Sequence, residues 1–180
     1  MTIVINFFAG PGAGKSSMSA ALFAALKFRG INCELATEYA KDKVWEESFG
    51  VFHDQVYIFG KQLHRIRRLL GKVEVIITDS PILMSLYYGK NESETFKRLV
   101  LEEHNRVNSL NVLLVRKKPY EPKGRMQTED EAKGIDVEMR KLLEENQIPY
   151  IVVDGVEDRI HELADLVCAK LSKPQIADES

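Results

Sequence analysis

A glycine-rich turn, Ala9-Gly10-Pro11-Gly12-Ala13-Gly14-Lys15-Ser16, stands between a short, mostly apolar run, Ile3–Phe8, and a stretch of helical period over residues 16–28. This is a P-loop pattern, with Ala9 where its strict form has glycine. The spacing has a chemical reason. Glycines let backbone N–H groups turn inward toward phosphate oxygens without a side chain in the way. Lys15 supplies a cation for β- and γ-phosphates, and Ser16 a hydroxyl for Mg²⁺. The start of the following helix, at Ser16 and Ser17, adds the favourable end of its dipole for an anion. A strand, a turn and a helix in that order also constrain the fold, because the motif sits at the carboxyl end of a buried parallel strand.

The rest of the chain keeps that alternation. Strands are expected at 33–37, 73–79, 111–116 and Tyr150–Asp154, each short and continuously apolar, as for strands buried on both faces. Helices are expected over 16–28, over 54–70 with Val56, Phe59, Leu63, Ile66 and Leu70 in helical spacing, and over 156–171. Thr128 and Glu131 have the spacing of a capping box ahead of the stripe Ala132, Ile135, Met139, Leu142. The expected fold is a single α/β domain over 1–171, a mainly parallel five-stranded sheet with helices on both faces. Residues 172–180 are expected to form a loose tail. At 180 residues with 44% hydrophobic and 29% charged residues, the chain has the profile of a soluble globular domain. No apolar run approaches the roughly 20 residues of a spanning helix, and no basic segment precedes the apolar N-terminus as in a signal peptide. Two cysteines without a CxxC pair point to a reduced, cytoplasmic protein without structural zinc.

Several residues outside the turn carry candidate chemistry. Asp79 ends the apolar strand Val75-Ile76-Ile77-Thr78, where a carboxylate can hold Mg²⁺; the competing role is a helix N-cap before Ser80-Pro81. Glu38 follows the strand at 33–37. If that strand neighbours the one ending at Asp79, both carboxylates face the phosphates, and Glu38 can accept or orient an acceptor proton; otherwise it is a surface glutamate opening a helix. Residues 116–125 hold five basic side chains together with Pro119, Pro122 and Gly124, which predicts a basic loop over 116–127. On a mobile lid, Arg116 and Arg125 would offset charge on a transferring phosphoryl group. A second basic stretch, 61–72, is expected to be the solvated face of a helix. Tyr39 and Trp45 are candidates for stacking on a substrate base, and the turn Asp154-Gly155-Val156 for walling the base of a nucleotide. The four histidines have no metal-like spacing and are expected on the surface or in helix packing.

Gly10-Pro11-Gly12-Ala13-Gly14-Lys15-Ser16, Thr37-Glu38-Tyr39-Ala40-Lys41-Asp42, Thr78-Asp79-Ser80-Pro81, Pro119-Tyr120, Gly124-Arg125 and Thr128-Glu129, in that order, resemble small phage P-loop kinases related to thymidylate kinase, deoxynucleoside kinases and the ribosylnicotinamide kinase type. Within that group the likeness is greatest to phage 5-hydroxymethyluracil DNA kinases. The resemblance implies ATP and Mg²⁺ held at residues 10–17, a working carboxylate at Glu38 or Asp79, and a lid near 116–125. It implies phosphorylation of 5-hydroxymethyluracil in DNA, in the cytoplasm of an infected host. The alternatives are a kinase of a free nucleoside, nucleotide or nicotinamide riboside, and, in another class, an NTP-hydrolysing switch or partner-binding ATPase. A net charge of −2 gives DNA no bulk attraction, so a DNA acceptor would need the two basic stretches on one face.

Overall fold

The computed structural model describes residues 2–121 and 128–172. Five strands form one fully parallel sheet: β1 (Ile3–Phe8), β2 (Cys33–Leu35), β3 (Val75–Thr78), β4 (Asn108–Val115) and β5 (Tyr150–Asp154), in the order β2-β3-β1-β4-β5. Around it lie α1 (Lys15–Phe28), α2 (Tyr39–Trp45), α3 (Gln55–Arg67), α4 (Met84–Tyr88), α5 (Glu94–Asn105), α6 (Glu129–Glu145) and α7 (Ile160–Ser172). Period-two alternation along β1 splits the core into two layers. Ile3, Ile5 and Phe7 pack with α1 and α7 through Leu22, Leu26, Leu163 and Val167. Val4 and Phe8 pack with α3, α5 and α6 through Phe59, Ile66, Val100, Met139 and Leu143.

This layering positions the site. The chain leaving β1 goes to the α1 face, and the chain leaving β3 goes to the other face. The crevice between them opens at the carboxyl ends of two adjacent central strands, where open α/β sheets bind ligands.

The expected strands at 33–37, 73–79 and 111–116 differ at their ends. β2 stops at Leu35, although Ala36 N still donates to Ile77 O at 2.9 Å. β3 is confined to Val75–Thr78, which frees Asp79 for the loop. β4 starts three residues earlier than its apolar run, because Asn108 and Ser109 pair with Ile3 and Val4 of β1. The capping box at Thr128 and Glu131 is present, and Ala132, Ile135, Met139 and Leu142 are buried. The expected helix at 54–70 is regular only to Arg67, with Asp54 accepting from Tyr57 N at 2.9 Å as its cap. Ser172 closes α7, and the rest of the expected tail lies outside the described residues. Helices α2, α4 and α5 lacked a sequence signal: the first two are short, and the buried face of α5 mixes Phe96 and Val100 with Glu103 and His104.

The basic stretch 61–72 is not simply a solvated face. Arg65 pairs with Asp42 and donates to Thr37 O at 2.9 Å, and Arg67 pairs with the buried Glu103. Among the described residues, no helix is long and apolar enough to cross a membrane.

Candidate active site

The turn after β1 is held from three sides. Gly12 and Gly14 take left-handed φ angles of 78° and 101°, which bring the backbone round to the first turn of α1. A Cβ on Gly12 would lie 2.8 Å from the Tyr120 ring and 3.2 Å from Arg116 Nη1, so both side chains lie against the loop. A Cβ on Gly10 would lie 2.2 Å from Ala132 O of α6. Gly155, in the turn after β5, donates to Val115 O at 2.9 Å, and its own Cβ would lie 2.8 Å from Ala13 O. The Asp154-Gly155-Val156 turn thus packs against the P-loop backbone, and Lys117 pairs with Asp154 at 3.4 Å.

Polar side chains converge on the same crevice. Ser16 Oγ donates to Asp79 Oδ2 at 2.6 Å. Lys15 Nζ donates to Ala9 O at 2.7 Å and Gly10 O at 3.1 Å. Burial pushes the Lys15 ammonium below the ordinary lysine range; the charges of Glu38, Asp79 and Asp136 pull it back up, and Arg116 adds to the lowering. One lysine therefore senses three carboxylates and a guanidinium. β2 does pair with β3, so Glu38 and Asp79 stand at adjacent strand ends. Asp79 is 7% exposed and caps no helix, since α4 starts at Met84 without a side-chain cap. Glu38 does open α2 by position but makes no capping hydrogen bond, and its charge reaches the Tyr88 hydroxyl. Tyr88 is 42% exposed as a whole residue, yet desolvation, then Glu38 and Tyr87, raise the pKa of its hydroxyl.

Arg116, at the start of the expected lid, is fixed against the loop by α6. Its Nε donates to Asp136 Oδ2 at 2.8 Å, and its Nη2 to Ala132 O at 3.4 Å. Its Nη1 is buried and, among the described residues, has no partner. An orphaned buried cationic donor beside Gly12 fits an anion there. Asp136 also accepts from Gly10 N at 2.6 Å, tying α6 to both Arg116 and the loop. Arg125 and the rest of the expected lid at 122–127 lie outside the described residues.

The two aromatic candidates are placed apart. Tyr39 is 9% exposed, with its hydroxyl on Tyr57 at 2.9 Å, and Arg65 and Lys43 over its ring. Trp45, at the far end of α2, is 69% exposed. Sequence reasoning missed Asp136, Tyr88 and Gln62, and gave Tyr120 no role beyond its place in the Pro119-Tyr120 motif. Gln62 is buried and accepts from Tyr39 N at 2.9 Å while donating to Thr78 Oγ1 at 3.3 Å, so it ties the segment holding Glu38 to the segment holding Asp79. Asp136 had one faint signal: it lies four residues after Ala132, beside the inward stripe of α6.

The donor set suits Mg²⁺ with a nucleotide. Ser16 and Asp79 offer two oxygens, and Mg²⁺ commonly completes its shell with phosphates and water. Among the described residues, no three His, Cys, Asp or Glu side chains gather as a metal cluster.

Solved structures share this architecture. The NadR protein in complex with NR superposes with a TM-score of 0.68 at 17% identity, over 99% of this chain and 53% of that one. The chain thus spans about half the length of that protein. Deoxyadenosine kinase from M. mycoides with bound dATP superposes with a TM-score of 0.53 at 21% identity, over 94% of this chain and all of the other. No curated protein matches in sequence. The fold is the P-loop kinase-like α/β fold. The family model described as AAA domain matches residues 4–159, a span that holds the glycine-rich turn, Glu38, Asp79, Arg116 and Asp136; the chain belongs to that family.

Proposed function

We propose that the protein is an ATP-dependent kinase that transfers the γ-phosphoryl group to a hydroxyl of a nucleoside-type acceptor. The observation that carries this reading is the Ser16–Asp79 hydrogen bond of 2.6 Å at the head of α1, within the electrostatic reach of Lys15 and beside Glu38. A binding module needs the cradle and the cation; a second carboxylate at the neighbouring strand end is what a hydroxyl acceptor requires.

In this reading Lys15 leaves the carbonyls of Ala9 and Gly10 for phosphate oxygens, and Arg116 Nη1 donates to the same group from beside Gly12. Ser16 and Asp79 would hold Mg²⁺, which when bound would offset charge on the phosphates. Glu38 accepts the acceptor's proton as its oxygen attacks the γ-phosphorus in line, and ADP leaves. Gly10, Pro11, Ala13, Gly14 and Ser17 frame the phosphates. Arg125 is assigned to closure over the transferring group. Tyr39 and Trp45, on the helix that Glu38 opens, are assigned to the acceptor.

The acceptor is the finer question. Neighbours holding NR and dATP support a small nucleoside or nucleotide. Arg65 and Arg67, engaged with Asp42 and Glu103, are less available to a DNA backbone than a solvated basic face would be. The motif resemblance alone supports 5-hydroxymethyluracil in DNA. ATP labelled in its γ-phosphate, offered with free nucleosides, nucleotides, nicotinamide riboside and hydroxymethyluracil-containing DNA in parallel, decides. Label is expected in a free nucleoside-type acceptor, and a folded Lys15→Ala protein should transfer almost none. Label appearing only in DNA would restore the DNA reading. Release solely as inorganic phosphate, whatever the acceptor, would replace kinase by ATPase.

A further inference from the structure

Strands buried on both faces have little room for polar side chains, yet Asn6 lies in the middle of β1 and Asn111 opposite it in β4. Asn6 Nδ2 donates to Asn111 Oδ1 at 3.0 Å and to Ser109 Oγ at 3.3 Å, and Asn111 Nδ2 donates to Pro149 O at 3.0 Å. None of these groups belongs to the site at the carboxyl ends of the strands. Sequences break local rules of this kind most often where a site demands it.

The ladder borders a cleft of about 400 Å³ at the opposite end of the sheet, between the C-terminal ends of α5 and α6 and the starts of β4 and β5. His104, Asn105, Ser109, Asn111, Asn146 and Gln147 supply its polar lining, and Val107 and Ile148 part of an apolar wall. No carboxylate, lysine or arginine lines it. A smaller cavity of about 130 Å³, bordered by Asn6, Arg67 and Glu103, shares His104 and Val107 with it. His104 is 4% exposed, and among the described residues its ring has no hydrogen-bond partner. Burial drops its pKa to about 4, so the ring is neutral at pH 7 and offers one donor and one acceptor.

We infer that this cleft is a second binding site, for a neutral nucleobase or its nucleoside. Asn111 and Asn146 already spend their amide donors on Pro149 O and Leu142 O, so they offer oxygens, while Asn105 and Gln147 at the rim present a donor beside an acceptor, the pair that a base edge matches bidentately. The apolar wall suits a ring face, and the volume lies at the small end of ligand sites. A phosphate or carboxylate would find no cation in the lining, so nucleotides should bind less well than nucleosides. The assignment stands independently of phosphoryl transfer, because it uses no residue of the P-loop site.

The test follows the ring signals of His104 by NMR in the intact protein, during titration with adenosine, guanosine, cytidine, thymidine and their 5′-monophosphates. At least one nucleoside should shift these signals saturably, more tightly than its monophosphate. Asn111→Leu should weaken that binding by about tenfold, the order expected when one buried hydrogen-bonding partner is lost. Ser109→Leu, at the less buried edge of the cleft, should block it even if Asn111→Leu fails to fold. His104 signals that no nucleoside moves, or that move equally in Ser109→Leu, would overturn the assignment. Either result leaves the kinase assay to be judged on its own.

Discussion

The two carboxylates of the crevice have different neighbours and should fail differently. Asp79 is buried and bonded to Ser16, so its proposed work is at the metal. Asp79→Asn keeps the shape but removes the charge, and the Mg²⁺ concentration for half-maximal turnover should rise while acceptor KM changes little. Glu38 makes no cap bond at the start of α2, and its charge reaches Lys15 and Tyr88. Glu38→Gln should cut kcat by about 10²–10⁴-fold, the usual worth of a general base, with ATP affinity retained. Steady-state kinetics across Mg²⁺ concentrations separates the two; normal turnover in Glu38→Gln would remove it from the proton transfer. The polar groups that tie the segments of the site together were not visible one residue at a time. Gln62 lies 23 positions from Tyr39 and 16 from Thr78, and Asp136 lies 126 positions from Gly10, and nothing local in the chain announces those contacts; only the packing of α3 and α6 onto the sheet makes them.

At the scale of elements, the glycine-rich turn works only because α6 presses against it. A Cβ at Gly10 would meet Ala132 O at 2.2 Å, so Gly10→Ala must push α6 away and break the Gly10–Asp136 hydrogen bond. The expected cost is about 1–3 kcal/mol, the range for overpacking, with loss of nucleotide affinity. Gly134, two residues after Ala132 on the exposed side of α6, has open space where a Cβ would stand, with nothing within 4 Å. Gly134→Ala should instead stabilise by about 0.5–1 kcal/mol, through lower backbone entropy in the unfolded chain. Denaturant unfolding of both variants checks the pair; equal stabilities would contradict the contact. Local signals did fix the type of these elements. The capping box at Thr128 and the stripe of α6 were legible because both depend on spacing along one helix. α5 was not, because Glu103 and His104 occupy its buried face, and burial there depends on Arg67, Arg106 and the neighbouring cavities.

At the scale of the whole molecule, stability is tied to pH through His104. In the unfolded chain its imidazole takes a proton below the ordinary pKa of 6.5, while burial delays protonation of the folded protein to about 4. Between those values the unfolded state binds more protons, so stability falls as pH drops from about 6.5 to about 4, by roughly 3 kcal/mol from this one group. His104→Leu should flatten that part of the curve relative to wild type in denaturant unfolding at stepped pH; parallel curves would assign the acid sensitivity elsewhere. The chain by itself determined the P-loop, the five strands, the parallel α/β class and the positions of Glu38 and Asp79, because each is written in residues adjacent in sequence or repeated at a fixed period. Tertiary structure decided which charges meet. It made Arg116 Nη1 a buried donor beside Gly12 and drew Arg65 and Arg67 into ion pairs. It also gathered Asn6, Asn111 and His104 at the amino end of the sheet. These outcomes depend on strand order and helix placement, since Coulomb and hydrogen-bond energies fall off over a few ångströms of space whatever the distance along the chain.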